Sequence, residues 1–326
     1  MIKKIIWSCL ILYGTALITF SATAQQHRVR ILWWNVENLF DCEDDSLAMD
    51  DEFLPHASKH WTKHRYYKKL WQIGKVLSSM GDTIPSLVGL AEVEGEDPLR
   101  DLIRYTLINL APYKYICTHG HDKRGIQVAM LYDPRYFSIL DVKEVSVSHE
   151  TMLTRDYLHA TGVMSSKDTL EVYLCHWPSQ WGGARASEYK RLFVSKCFQR
   201  DISATIQKHP NRNVLVLGDY NEESKAPALK QLINKCHLVD CVTRCTKKKT
   251  DIGTHYYNGR WSVLDHILVS QDLMNRIDQG GIWRTSYLLE KDARGCTRPN
   301  RTYIGPCYHG GYSDHLPVYL DIVYQY

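Results

Sequence analysis

The apolar runs of this 326-residue chain end repeatedly on a carboxylate, an amide or an imidazole. Asn35 and Glu37 lie in WWNVEN, Glu92 follows LVGLA, His176 follows VYLC, and Asp219 and Asn221 follow VLVLG. Asp265 precedes HILVS, and Asp314 with His315 sits in GYSDHLP. Such groups are costly to bury at the end of a β run unless they are paired or metal-bound, so a repeated set in one chain implies one convergent site. Carboxylates suit a hard divalent cation such as Mg²⁺ or Mn²⁺. A histidine beside a buried aspartate is held in one tautomer and made more basic, which suits it to proton transfer.

The elements that must position these residues alternate along the chain. Segments 29–34, 87–91, 128–132, 170–175, 214–217, 264–269 and 318–323 read as strands, many too continuously apolar to face water on one side. Tyr66, Leu70, Ile73, Leu77 and Met80 fall at steps of three and four, and segments 98–110, 184–208 and 225–235 also read as helices. Helices therefore cover sheets. No linker, repeat or shift in composition divides the chain, which predicts one domain over residues 25–326. Two long segments, 41–64 and 284–313, read as surface loops, where substrate selection usually resides.

Residues 1–24 have the form of a secretory signal: Lys3 and Lys4, an apolar run from Ile5 to Phe20, then Ser21-Ala22-Thr23-Ala24 with cleavage expected after Ala24. The run is short for a membrane span, and Cys9 lies inside it in a poor context for lipid attachment. Export to the periplasm or the medium follows, with no stable membrane anchor. Cleavage removes two lysines and no acid, leaving 38 basic against 36 acidic side chains, so any basic surface is local. Nine cysteines remain; Cys296 and Cys307 could close a loop, Cys236, Cys241 and Cys245 cluster near a helix end, and Cys175 reads as a small core residue.

The ordered motifs WNVEN, AEVEG, RGIQVAMLY, CHWPS, GDYNE, LDHILVS and SDHLP resemble the endonuclease/exonuclease/phosphatase superfamily, which includes deoxyribonuclease I-like enzymes, over about residues 29–324. The resemblance implies an α/β fold, a four-layer sandwich of two packed mixed β-sheets flanked by helices, with the site at one edge. It implies a metal-dependent phosphoester hydrolase in which Glu92 is the principal Mg²⁺ ligand, with Mn²⁺ or Ca²⁺ as substitutes, and Asn35, Glu37 and Asp314 are its neighbours. His315 is then the catalytic histidine and Asp265 its orienting carboxylate. By the same resemblance His176 acts as acid or base on the opposite side, Asp219 positions or deprotonates water, and Asn221 and Arg124 bind phosphate oxygens. An Asx turn is the plain alternative for Asn221.

The catalytic set does not select among nucleic acids, lipid headgroups and small phosphate esters. Trp177 and Trp181 in HWPSQWGG, followed by Arg185, could stack on bases or enter a lipid surface, with core packing as the alternative. Lys247, Lys248 and Lys249, with Arg244 and Arg260, would suit a phosphate backbone or form a solvated face. Export and the RGIxVA and HWPSxxGG segments resemble bacterial extracellular nucleases, so nucleic acid is the expected substrate, and the protein is expected to be a monomer without a protein partner. A phosphatase or phosphodiesterase acting on a lipid headgroup or small phosphate ester, and a binding protein with a retired site, are the other readings.

Overall fold

The computed structural model describes residues 26–81, 84–120, 122–147, 154–246 and 252–325. The signal segment and Lys247, Lys248 and Lys249 lie outside the described residues.

Two six-stranded mixed sheets stack face to face. The first contains β1 (Gln26–Leu39), β2 (Leu87–Val93), β3 (Lys114–Cys117), β4 (Gln127–Tyr132), β13 (Ile277–Ile282) and β18 (Val318–Gln325), in the order β13-β18-β1-β2-β4-β3. The second contains β5 (Phe137–Val145), β6 (Tyr157–Met164), β7 (Thr169–His176), β8 (Asn213–Asp219), β9 (Val239–Asp240) and β12 (Asp265–Val269), in the order β5-β6-β7-β8-β12-β9. In each sheet one central pair is parallel, β1 with β2 and β7 with β8, and the other pairs are antiparallel. Helices α1 (Lys63–Ser78) and α2 (Glu96–Tyr105) cover the first sheet; α3 (Ala184–Lys208) and α4 (Pro227–Lys235) cover the second.

Strand alternation produces the layers. Ile31 and Trp33 face the other sheet with Leu174, Leu215, Leu217 and Ile267, whereas Leu32 and Trp34 point outward beneath Tyr66, Leu70, Ile73 and Leu77. On the far side Tyr173, Cys175 and Val216 meet Val194, Phe198 and Leu229. Central strands with both faces covered must be apolar throughout, which is why they were legible as continuous runs. Gly89 on β2 leaves no room for a side chain: a Cβ there would stand 2.6 Å from Cε3 of Trp33 and 3.1 Å from Cδ2 of Leu174 in the facing sheet.

The strand and helix segments read from the sequence are present, and three features differ. Strands β3, β5, β6, β9 and β13 were not read: β3 and β9 are short, β5 is an edge strand with mostly exposed side chains, β6 carries His159, Thr161 and Gly162 within its run, and β13 carries Asp278, Gln279 and two glycines. The 284–313 segment is not an open loop, since β14 (Leu289–Lys291) pairs with β15 (Thr297–Pro299) and β16 (Tyr303–Ile304) with β17 (Cys307–Tyr308). Cys296 and Cys307 are exposed free thiols rather than a bridge, and the other seven described cysteines are also unpaired. Two short helices, α5 (Cys241–Thr246) and α6 (Gln271–Met274), and a hairpin of β10 (His255–Tyr257) and β11 (Arg260–Ser262) complete the fold. Among the described residues no helix is long and apolar enough to cross a membrane.

Candidate active site

The site lies where the ends of β1 and β2 in one sheet meet those of β7, β8 and β12 in the other. Register brings its members together: His176 pairs with Asp219 across the parallel β7–β8 ladder, and Asp265 pairs with Asp219 across β8–β12. Opposite them, the β1–β2 ladder carries Asn35 beside Ala91, and the β2–β4 register shifts between Ala91 and Val93. Glu92 occupies that bulge with φ 63°, and Glu37, Asn38 and Asn221 have φ 54°, 54° and 51°. Left-handed backbone at non-glycine residues is unfavourable and persists where packing imposes it, commonly at functional sites. Here the bulge turns the Glu92 carboxylate off the sheet face and into the cleft.

One amide ties the two halves. Nδ2 of Asn35 donates to Asp219 Oδ2 at 3.1 Å and to Glu92 Oε1 at 3.4 Å, while the backbone N–H of Asn38 donates to Glu92 Oε2 at 3.0 Å. His176 Nε2 stands 3.6 Å from Asp219 Oδ2 and 4.0 Å from Glu92 Oε1. His315 Nε2 approaches the same Asp219 oxygen at 3.8 Å, so the two imidazoles flank one carboxylate. Behind His315, Nδ1 meets Asp265 Oδ2 at 2.7 Å, and the other Asp265 oxygen accepts Trp33 Nε1–H at 3.0 Å. Trp34 Nε1 donates to the His315 carbonyl at 2.9 Å, so adjacent indoles of WWNVEN hold the dyad from two sides. The neighbouring His266 is turned away onto Asp240 at 2.9 Å, which leaves Asp265 as the partner of His315.

Burial and charge separate the protonation states. Burial disfavours the His315 cation, but the Asp265 and Asp219 carboxylates outweigh it and hold the imidazole well above its ordinary pKa. Burial, with Arg155, Arg124 and His315 adding to it, holds His176 well below the ordinary value. Asp219 is pushed up to about 7 by burial, with Asp265 adding and His315 opposing. The cleft thus offers a protonated imidazole, a neutral imidazole and a carboxyl that exchanges its proton near neutrality.

Of the other residues read from the sequence, Asn35 and Arg124 stand beside Glu92 as neighbours, Asn221 bonds Asp219 and Trp177, and Glu37 and Asp314 face the 301–303 segment. Glu37 turns to the 301–303 segment, where its carboxylate accepts from the backbone N–H groups of Thr302 at 2.7 Å and Tyr303 at 3.3 Å; no described hydrogen bond or ion pair joins it to Glu92. Asp314 pairs with Arg301 at 2.9 Å, and Arg301 Nε also lies 3.7 Å from Glu37. Asn35 presents its N–H groups to the carboxylates, because its Oδ1 accepts the backbone N–H of Glu37 at 3.0 Å. The Asx turn is that of Asp219, whose Oδ1 accepts the backbone N–H of Asn221 at 2.9 Å, and Asn221 gives one side-chain N–H to the Trp177 carbonyl at 3.1 Å. Arg124 is half-exposed with its guanidinium 3.6 Å from Glu92 Oε1.

Several residues escaped the sequence reading. Arg155 is buried by the same cleft, its Nε 3.2 Å from Asp122 Oδ2 as an ion pair without hydrogen-bond alignment. His255 packs its ring 4.8 Å from that of His315. Arg301 lies in a segment read as an open loop. A lone arginine before a strand carries no local signal; for Trp33 and Trp34 the signal was present, since a buried indole N–H needs an acceptor. Trp177 is a core residue, 1% exposed and packed on Phe198 and Tyr220, while Trp181 is 92% exposed.

The donor set fits a hard cation. Glu92 and Asp219 converge on one amide and offer oxygens, and Asp219 with Asp265 and His315, or His255 with Asp314 and His315, place one ligand atom each within 4.8 Å of one another. The sequence matches the endonuclease/exonuclease/phosphatase family over residues 30–324. The chain belongs to that family. Members of the family are phosphoesterase hydrolases that use divalent metal ions, in keeping with this cleft. No curated protein matches the chain. Among solved structures, an endonuclease/exonuclease/phosphatase family protein of Bacteroides thetaiotaomicron has a TM-score of 0.62 at 15% identity, covering 93% of this chain and 97% of that one. The mannosyl-6-phosphatase of Bacteroides thetaiotaomicron gives 0.61 at 15% identity, with 91% and 100% covered. The human Nocturnin catalytic domain with bound sulfate gives 0.58 at 15% identity, with 92% and 95% covered. At these identities the likeness is one of fold.

Proposed function

We propose that the chain is an exported, divalent-metal-dependent phosphodiesterase whose substrate is DNA or RNA. The observation that carries the reading is Asp219 Oδ2 set between two imidazoles, His176 Nε2 at 3.6 Å and His315 Nε2 at 3.8 Å. A phosphodiester is anionic and repels hydroxide, so its hydrolysis needs charge neutralisation, an activated water and a proton donor. A Mg²⁺ ion held by Glu92 would supply the first by polarising a phosphoryl oxygen. The chain's own groups supply the rest. His315, kept protonated by Asp265, presents Nε2–H to an oxygen that gains charge. Asp219, exchanging its proton near neutrality, accepts one from water. His176 is the uncharged second acid–base group, and Arg124 with the remaining N–H of Asn221 faces the phosphate.

Nucleic acid is favoured by the open groove that leads from His255 and Asn221 past Arg185, Arg260 and Arg301. The purified mature chain is assayed on plasmid, single-stranded DNA, RNA, sphingomyelin and inositol phosphates with Mg²⁺, Mn²⁺ and Ca²⁺. Nucleic acid turnover that disappears with EDTA, His315→Ala and Glu92→Ala supports the proposal. Turnover confined to lipid or inositol phosphates refutes the substrate, and wild-type rates in both variants refute the site. Export predicts a mature protein beginning at Gln25, read by N-terminal sequencing of the secreted material.

A further inference from the structure

We infer that Trp181 and Tyr257 form a base-stacking subsite beside the catalytic centre, and that the substrate is therefore nucleic acid in single-stranded form. The inference rests on the nuclease reading and specifies it. Both side chains line one groove of about 1290 Å³ that also touches Asn221, His255 and Arg301 at the mouth of the site. Trp181 is 92% exposed and Tyr257 69% exposed, so both rings forgo the burial that aromatic side chains usually obtain.

Neither ring stands on a slack segment. Trp181 follows catalytic His176 by five residues, and its turn is pinned from both sides. Gln180 Nε2 donates to the Asn221 carbonyl at 2.7 Å, and Gly183 N–H closes onto the Gln180 carbonyl at 2.8 Å. Gly182 and Gly183 have φ 82° and 111°, a path that side chains resist, and α3 begins at once beyond them. Beneath the turn, buried Arg191 binds Glu222 at 2.7 Å. Tyr257 stands at the tip of the β10–β11 hairpin, where Asn258 and Gly259 adopt φ 47° and 82° as a tight two-residue turn requires. The base of that hairpin is fixed to the catalytic segment by the bridge between His255 and His315 and by Leu316 N–H on the Thr254 carbonyl at 2.7 Å.

Two solvent-facing rings are thus held by a turn that follows His176 and by a hairpin bridged to His315. A planar ring entering the groove stacks on them without further ordering of the protein, and Arg185 and Arg260 offer charge to the connecting phosphates. Glu188 and Glu223 share the groove, and Arg260 pairs with Glu223 at 3.2 Å, so the wall is not the uniformly basic surface expected for a duplex backbone. A base in a duplex is already stacked and unavailable, whereas an unpaired base can turn into the groove.

The test measures binding of fluorescent oligothymidylate and of a duplex of equal length in EDTA, together with Mg²⁺-dependent turnover of both and of bis(p-nitrophenyl) phosphate. Trp181→Ala or Tyr257→Ala is expected to weaken single-strand binding by about 5- to 150-fold, the range for loss of one stacked base. Turnover of the small ester is expected to stay unchanged, and Trp181→Phe should restore most of the binding. Equal losses for duplex and single strand overturn the inference, as does normal oligonucleotide binding by both alanine variants. Loss of binding to sphingomyelin vesicles with oligonucleotide binding intact assigns the rings to a lipid surface instead and also overturns it. If the wild type hydrolyses the small ester but neither binds nor cleaves any nucleic acid, the nuclease reading itself has failed.

Discussion

Asp265→Asn is the sharpest perturbation of the cleft because it changes one charge and almost no volume. The native Asp265 Oδ2 lies 2.7 Å from His315 Nδ1, and both side chains are buried. Oδ1 can keep the Trp33 indole N–H, so the asparagine has one orientation open to it, with its N–H groups turned to His315. Nδ1 must then accept a hydrogen bond, so the ring gives up its Nδ1 proton and keeps Nε2–H as a neutral imidazole without its main counter-charge. A buried hydrogen bond to a charged group contributes about 1.5–3 kcal/mol, so the folded state weakens by a similar amount. Catalysis loses more, because a neutral His315 is a poorer donor: a fall of about 10²–10⁴ in kcat is expected, the usual range for a positioned acid–base group. The sign of the pH effect is fixed. The carboxylates hold His315 protonated to higher pH than an ordinary histidine, so removing Asp265 moves the alkaline limb of the rate profile to lower pH. Steady-state rates on bis(p-nitrophenyl) phosphate across pH, with circular dichroism to confirm folding and imidazole nitrogen NMR to report the tautomer, give the measurement. A variant within threefold of wild type with an unmoved alkaline limb refutes the dyad.

Other expectations follow from packing and charge elsewhere. Gly89→Ala places a methyl 2.6 Å from Trp33 Cε3, so it should destabilise by about 1–3 kcal/mol in urea titrations and, by displacing the indole that holds Asp265, lower turnover as well. Arg30 binds Asp321 through Nε and Nη2, both at 2.7 Å and both buried; Asp321→Ala removes the carboxylate from this buried pair and should cost about 3–5 kcal/mol by chemical denaturation. Glu171 is buried, which disfavours its charge, but hydrogen bonds from His159, Thr161 and Arg212 hold its pKa down to about 2. A lowered carboxyl pKa stabilises above its unfolded value and loses that contribution as pH falls toward 2. Glu171→Gln should therefore be less stable than wild type at pH 7, by at most about 3 kcal/mol, and the difference should vanish near pH 2, as read from thermal melts across pH.

Much of the architecture was legible because the signal was local. A central strand covered on both faces must be apolar along its whole length, so β1, β2, β7, β8 and β12 were visible, and each polar residue at their ends stood out. Edge strand β5 has one face in water and lost that contrast. Within the site, Asp265, His315, His176 and Asp219 were identifiable because each sits beside an apolar run in a motif that resembles the family's. Arg155 and His255 were not, since they approach the cleft from segments whose sequence has no period. Glu37 shows the reverse: its motif pointed to the cleft, but φ 54° turns the chain there and the carboxylate reaches amides 265 residues away in sequence.

The sequence by itself determined the chemistry available to this protein: burying so many carboxylates and imidazoles at strand ends is unfavourable unless they share one polar site. It also determined that the central strands are covered on both faces, because their runs are apolar throughout, whereas the four-layer sandwich followed from the resemblance of the ordered motifs. Tertiary structure alone decided which groups touch. Register set His176 and Asp265 against Asp219, a bulge turned Glu92 toward them, and two anchored turns left Trp181 and Tyr257 facing solvent at the mouth of the groove. Those outcomes depend on contacts between segments distant in the chain, and the energy of such contacts is written in no local pattern of residues.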